Sequence, residues 1–112
     1  MLAVPVAALV LAAGAPPPAR AQQAHRLIVH ALAQARLGTE KSLFAADAAL
    51  LGAKVLLEPY DFGGRANPLF DVSLADLADH VALSKAGDDR RLWTRKTIAH
   101  SRNAIRHLRP FH

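Results

Sequence analysis

The chain contains no cysteine, and its 112 residues include only one tryptophan, one tyrosine and one methionine. Without cysteine there are no disulfides, no thiolate metal centres and no cysteine nucleophile. The absence leaves the cellular compartment open. With so few aromatics, the core must be built from Leu, Val, Ile and Ala. Strand-period alternation, internal repeats, a glycine-rich phosphate loop, a G-x-S-x-G elbow and an H-E-x-x-H pair are all missing. Acid is also missing from one end, since residues 90–112 hold no Asp or Glu.

What is present is 52% apolar and long enough for one domain. A chain of this size buries roughly 60–70% of its unfolded surface. The core is therefore small, and stability is modest or dependent on a partner. The net charge of +5 is unevenly placed. Residues 90–112 carry Arg90, Arg91, Arg95, Lys96, Arg102, Arg106 and Arg109, for +7, while residues 1–89 carry −2. Such a basic block implies an anionic partner, either nucleic acid or an anionic surface, or else a solvated face that keeps a small protein soluble.

The N-terminus reads as a secretory signal peptide. An apolar run from Leu2 to Ala13 is followed by Pro16-Pro17-Pro18 and then by Ala19-Arg20-Ala21 before Gln22, an A-x-A cleavage pattern. No basic residue precedes the run, and the run is shorter than the ~20 apolar residues of a membrane span. This reading divides the chain into residues 1–21, signal or hydrophobic segment, and 22–112, a single helical domain, exported or periplasmic. The alternative is an uncleaved cytoplasmic chain.

Helical periodicity predicts an all-α bundle or array of about four helices, over 22–37, 39–58, 73–86 and 89–109. In the first, Ala24, Leu27, Ile28, Ala31, Leu32 and Ala35 recur at three and four. Gly38 is its stop and Thr39 the next N-cap. The second is apolar almost all round, contains Gly52, and ends at Pro59. A long connection, 58–72, follows. Ser73 with Asp76 reads as a capping box for the third helix, with Leu74, Leu77, Ala78 and Val81 as its apolar stripe and Gly87 as its stop. Asp88 reads as the N-cap of the fourth helix, Asp89 falls on its dipole, and Pro110 closes it.

Projected at ~100° per residue, Arg91, Arg95, Arg102, Arg106 and Arg109 of the fourth helix form one stripe. Trp93, Thr97, Ser101, Ala104, Ile105 and Leu108 form the apolar arc. Five arginines on one stripe repel each other unless an anion, or neighbouring acids such as Asp76 and Asp79, relieves them.

The segment Arg102-Asn103-Ala104-Ile105-Arg106-His107 resembles the Arg-x4–6-His signature of HEPN domains, which are small and all-α. The resemblance covers six to nine residues. It implies a metal-independent ribonuclease site shared between two protomers. Arg102 would stabilise the scissile phosphate, Asn103 would orient or bind phosphate, and His107 would be the general acid or base. On one ideal helix Arg102 and His107 stand ~140° apart, so such a site needs a dimer. A second stretch, "SLADLADHVALS" over Ser73–Ser84, resembles the opening of a helix-turn-helix, with Ala78, Val81, Leu83 and Ser84 in the motif's positions. Asp88 then falls where a recognition helix carries an apolar residue. Asp76 and His80 lie four apart, enough for two metal ligands. No third ligand is evident, so no metal site and no cofactor is expected.

The expectation drawn from these features is a small, basic, all-α, exported protein that binds an anionic partner through the Arg stripe and does not catalyse a reaction. The alternatives are a cytoplasmic HEPN-like RNA-binding domain or ribonuclease, a homodimer in that case, and a helix-turn-helix DNA-binding protein. No small-molecule substrate is implied.

Overall fold

The computed structural model describes residues 14–64 and 66–112. The expected apolar leader run, Leu2 to Ala13, lies outside the described residues. The architecture is all-α: α1 (Pro18–Leu37), α2 (Glu40–Leu57), α3 (Pro68–Leu83) and α4 (Gly87–Leu108), followed by one 3-10 turn over Arg109–Phe111. Successive helices pack on each other and α4 closes back on α1, so the four form a ring around a shared core. The links between α1 and α2 and between α3 and α4 are only a few residues long, which makes each pair antiparallel neighbours. Among the described residues no helix is long and apolar enough to cross a membrane.

The ends of α1 and α2 follow the sequence signals closely. Gly38 adopts the left-handed region at φ 68° and donates its N–H to the Ala35 carbonyl, ending α1. Thr39 then caps α2. Its side chain accepts from the Ser42 N–H at 3.0 Å while Ser42 Oγ accepts from the Thr39 N–H at 2.9 Å, a reciprocal capping box.

Four boundaries differ from expectation by two residues or more. α1 begins at Pro18 rather than Gln22, because proline at the first helical position gives up an N–H that has no intrahelical partner there anyway. The Ala19-Arg20-Ala21 cleavage pattern is thus the first turn of α1, with Ala21 fully buried and the Arg20 guanidinium 5.9 Å from the Tyr60 ring centre. α3 begins at Pro68 rather than Ser73, with Asn67 as its N-cap accepting from the Leu69 and Phe70 N–H groups. Ser73 is inside the helix and donates to the Leu69 carbonyl, so the capping box read at Ser73 and Asp76 does not form. α3 stops at Leu83, and α4 begins at Gly87, whose φ of 56° turns the chain. Asp88, expected as the N-cap, lies with Asp89 inside the first turn of α4, on the favourable end of its dipole, and Ala86 takes the cap position without a side-chain bond.

The core is dominated by alanine. Ala24, Ala31, Ala46, Ala53, Ala75 and Ala104 are fully buried, joined by Ile28, Leu50, Leu57, Val72 and Leu108. Small faces let helix axes approach toward the near end of the usual ~8–10 Å range. At the open end of the bundle, the connection from 58 to 67 tucks Phe62 edge-to-face against Phe111, with ring centres 5.1 Å apart.

The stripe expected for α3 is not the one buried. The buried face runs through Asp71, Val72, Ala75, Asp76, Ala78, Asp79 and Ala82. Leu77, half a turn away from Ala75, is 60% exposed. The alanines decide this orientation, since they let α3 lie close against its neighbours where leucines would hold it off. Three carboxyls go inward as a consequence.

Gly52 serves the same close approach between α1 and α2. A Cβ placed there would stand 3.2 Å from Leu27 Cδ1. Leu27 is only partly buried and can give by a few tenths of an ångström, so Gly52→Ala, which also gains helix propensity, should shift stability by less than about 1 kcal/mol. Gly52→Leu should overpack the seam and cost about 1–3 kcal/mol, a fall in melting temperature of several degrees on thermal denaturation. Equal melting temperatures for the leucine variant and the wild type would show that the seam is loose.

Candidate functional site

Three groups of polar side chains stand out. The first is the Arg stripe. Arg91, Arg95, Arg102 and Arg106 are exposed on α4, as its projection requires, and Arg109 is exposed in the 3-10 turn that follows. The opposite arc is inward: Thr94, Thr97, Ser101, Ala104 and Leu108 are buried, and Ile105 packs at the edge of the core. Trp93 is half-buried, with the Lys96 ammonium 4.2 Å from its ring centre, a cation–π pair.

Two clefts flank the stripe. One, of about 370 Å³, is lined by Ala99, Arg102, Asn103, Arg106 and Arg109. The other, of about 500 Å³, lies between the end of α1 and the start of α4, with Arg36, Arg90, Arg91 and Arg95 among its walls. Among the described residues the ion pairs are His80–Asp47, His80–Asp76, Arg91–Asp88 and His107–Asp71. None involves Arg95, Arg102, Arg106 or Arg109. Asp76 and Asp79, the acids that could have relieved the stripe, are turned into the bundle instead. Asn103 Oδ1 accepts from Arg106 at 2.8 Å, which fixes one guanidinium at the edge of the smaller cleft.

The second group is His107 with Asp71. His107 Nδ1 lies 2.6 Å from Asp71 Oδ2. The pair is a product of antiparallel packing, which sets the first turn of α3 beside the last turn of α4. An acid at a helix N-terminus and a histidine at a C-terminus are each favoured by their own helix dipole as well. The contact holds His107 on the α3 side of α4, and His107 does not line the cleft that Arg102 and Asn103 share. Arg102, Asn103 and His107 therefore do not converge within one chain.

The third group is not legible in the sequence as a group. Asp47 on α2 joins Asp76 and His80 on α3, with one potential ligand atom from each lying within 4.8 Å of the others. Sequence alone shows only the Asp76–His80 spacing. Asp47 comes from a different helix, and no local pattern marks it. His80 Nε2 is 3.3 Å from Asp47 Oδ1, and His80 Nδ1 is 2.9 Å from the Asp76 carbonyl oxygen. Asp79, fully buried, sits beside them in charge terms, with neither carboxylate oxygen hydrogen-bonded. Among the described residues this is the group whose side chains could hold a metal ion.

Burial, first, and then the facing Asp47 carboxylate raise the Asp76 carboxyl to about 7. Burial, and then the charges of Asp47 and Asp76, raise Asp79 to about 7 as well. For His80, burial acts to lower its affinity for a proton, but the Asp76 carbonyl and the charges of Asp76, Asp47 and Asp79 outweigh it and raise the pKa above 6.5.

Comparison with protein-family models, with curated proteins and with solved structures found no match to this chain. What the chain does must therefore be argued from its own geometry.

The raised carboxyls give a pH dependence of definite sign. Between about 4 and 7 the folded state keeps protons on Asp76 and Asp79 that the unfolded chain has released. Stability from this source is complete below about 4 and is lost as the pH rises through 7, at no more than about 1.4 kcal/mol per pH unit for each group. His80 acts in the same direction, its contribution fading as the pH rises through its raised pKa. Denaturant unfolding in EDTA at pH 4, 5.5 and 7 should show Asp79→Asn losing less stability over the range than wild type, and exceeding it at pH 7. Parallel profiles for the two proteins would contradict the burial of an uncompensated carboxyl at this position.

Proposed function

We propose that the protein binds a polyanion along α4 without catalysing a reaction, and that the backbone of a nucleic acid is the partner that fits best. The observation carrying this reading is the run of exposed guanidiniums, Arg95, Arg102, Arg106 and Arg109, with no acidic partner among the described residues. Like charges at helical spacing of three and four destabilise the helix that carries them. An anion removes that penalty and releases its own counterions on binding. From Arg91 to Arg109 the stripe extends roughly 27 Å at 1.5 Å per residue, and each strand of a duplex offers a phosphate about every 3.4 Å of axis. Several phosphates thus fall within reach of one chain. The clefts beside Arg95 and Arg102 give the partner concave rather than flat seating.

A HEPN-like ribonuclease is the second reading, and the His107–Asp71 contact favours it. A carboxylate at 2.6 Å fixes the imidazole and its tautomer, as a general base requires. The site would be completed by Arg102 from a second copy, because within one chain the two residues point to different surroundings.

Binding of fluorescent RNA and DNA oligonucleotides, measured across a range of salt, tests both. The affinity should fall steeply with salt. The Arg95→Gln/Arg102→Gln/Arg109→Gln variant should flatten the log–log slope by about 2–3, at roughly 0.9 for each phosphate no longer neutralised. Affinity unaltered by salt or by the triple variant would remove the first reading. Tight binding to anionic vesicles with none to oligonucleotides would move the partner to a membrane surface. RNA should remain intact in both wild type and His107→Ala. Cleavage by wild type that vanishes in both Arg102→Ala and His107→Ala would establish the second reading instead.

A further inference from the structure

We propose that Asp47, Asp76 and His80 bind one first-row divalent transition-metal ion, which bridges α2 to α3 on a face separate from the Arg stripe. The geometry points to this in three ways. First, the donors are spaced for it. His80 Nε2 and Asp47 Oδ1 are 3.3 Å apart. Two donors at that separation, each ~2.1 Å from a common ion, subtend about 100° at it, between tetrahedral and octahedral values. The Asp76 carboxylate lies within 4.8 Å of both.

Second, the histidine is oriented as a ligand. His80 Nδ1 sits 2.9 Å from the Asp76 main-chain carbonyl oxygen. With Nδ1–H donating there, the neutral ring presents its lone pair at Nε2, the atom that faces Asp47. A ligating histidine whose other nitrogen donates to a carbonyl is the usual outer-shell arrangement of metal sites.

Third, the site has acceptors that nothing else satisfies. Asp76 is 8% exposed, and its Oδ1 has no hydrogen-bond partner. Asp47 Oδ1 has no hydrogen bond, only its ion pair with His80, and both oxygens of Asp79 immediately before His80 are without a hydrogen bond. A buried acceptor without a partner is destabilising, the more so if charged. The cations that act on this cluster are His80 itself and, on Asp76, Lys54. One ion ligated by Asp76 and Asp47 supplies what they lack and screens Asp79 behind them.

The donor set selects the ion class. One imidazole with carboxylates and no thiolate suits zinc, manganese or cobalt, whereas magnesium and calcium favour oxygen alone. Three protein ligands leave positions for water. The ion also joins two helices separated by the 58–67 connection, so its binding adds to folding stability.

The test uses the full chain, stripped with EDTA and dialysed, then titrated with zinc chloride by calorimetry and with cobalt chloride by visible absorption. Wild type should take up one ion per chain and melt at a higher temperature with zinc than without. His80→Gln, at a side chain about half exposed, should fold normally by circular dichroism and bind at least tenfold more weakly, with loss of the cobalt bands. Asp47→Asn should do the same. The competing site is the His25–His112 pair, whose rings lie 4.8 Å apart. His25→Gln and His112→Gln should leave zinc uptake within threefold of wild type. No uptake by wild type, less than tenfold weakening in His80→Gln, or loss of uptake in His25→Gln would overturn the proposal.

Discussion

The close approach of alanine faces is the constraint on which the rest of this protein depends. With few aromatics, and with Leu37, Leu51, Leu77 and Leu92 left on the surface, the bundle does not fill wide seams. It closes narrow ones instead, through Ala24, Ala31, Ala46, Ala53, Ala75 and Ala104. Narrow seams then dictate helix rotation. On α3 the small residues Ala75, Ala78 and Ala82 must face inward, and the side chains that share their face go with them. Those side chains are Asp71, Asp76 and Asp79, while Leu77 is left outside. A hydrophobic ranking applied residue by residue would choose the opposite arrangement. Area burial of one leucine, about 1.5–3 kcal/mol, is less than what four helices gain by packing without voids along their length.

That rotation sorts the charges. Asp71 meets His107, and Asp76 and Asp79 gather with Asp47 and His80. The acids of α3 are thereby withdrawn from the surface, and the outer face of α4 is more basic than the net charge of +5 indicates. The Arg stripe and the buried carboxyls are two results of one packing decision. Polar groups in a low-dielectric seam carry high energies when unpartnered, so the buried α2–α3 carboxyls hold their protons to higher pH than free ones.

Local signals in the sequence are sufficient wherever the physics is local. Gly38 as a stop, Thr39 as a cap, Pro59 as a terminator and the two faces of α4 are all read from neighbours within about four residues, and the structure has each of them. The start of α3 escapes such reading because two cap candidates compete. Asn67 followed by proline at the first helical position wins over Ser73, since it extends the helix by more than a turn without depriving the backbone of a partner. The buried face of α3 escapes it because periodicity ranks hydrophobicity and not size. The Asp47–Asp76–His80 group is invisible for a different reason: Asp47 precedes Asp76 by almost thirty residues and a turn of the chain. Only the lateral packing of α2 on α3 brings them together.

The topology also keeps the two charged regions apart. In the ring of four, α2 neighbours α1 and α3, and α4 neighbours α3 and α1. The carboxyl cluster sits on the α2–α3 seam, diagonal to the outward face of α4. Of the acids, Asp71 and Asp88 are held in ion pairs, and Asp76 and Asp79 are buried. Had α3 carried its carboxyls outward, Asp76 and Asp79 would have stood beside the polyanion's path and repelled it. The same helix rotation that creates a costly acidic interior therefore clears the approach to α4. It also explains why the Arg102–His107 spacing does not make a site in one chain: His107 belongs to the inward, acid-paired side of α4, and Arg102 to the outward side that the rotation of α3 leaves free of acid.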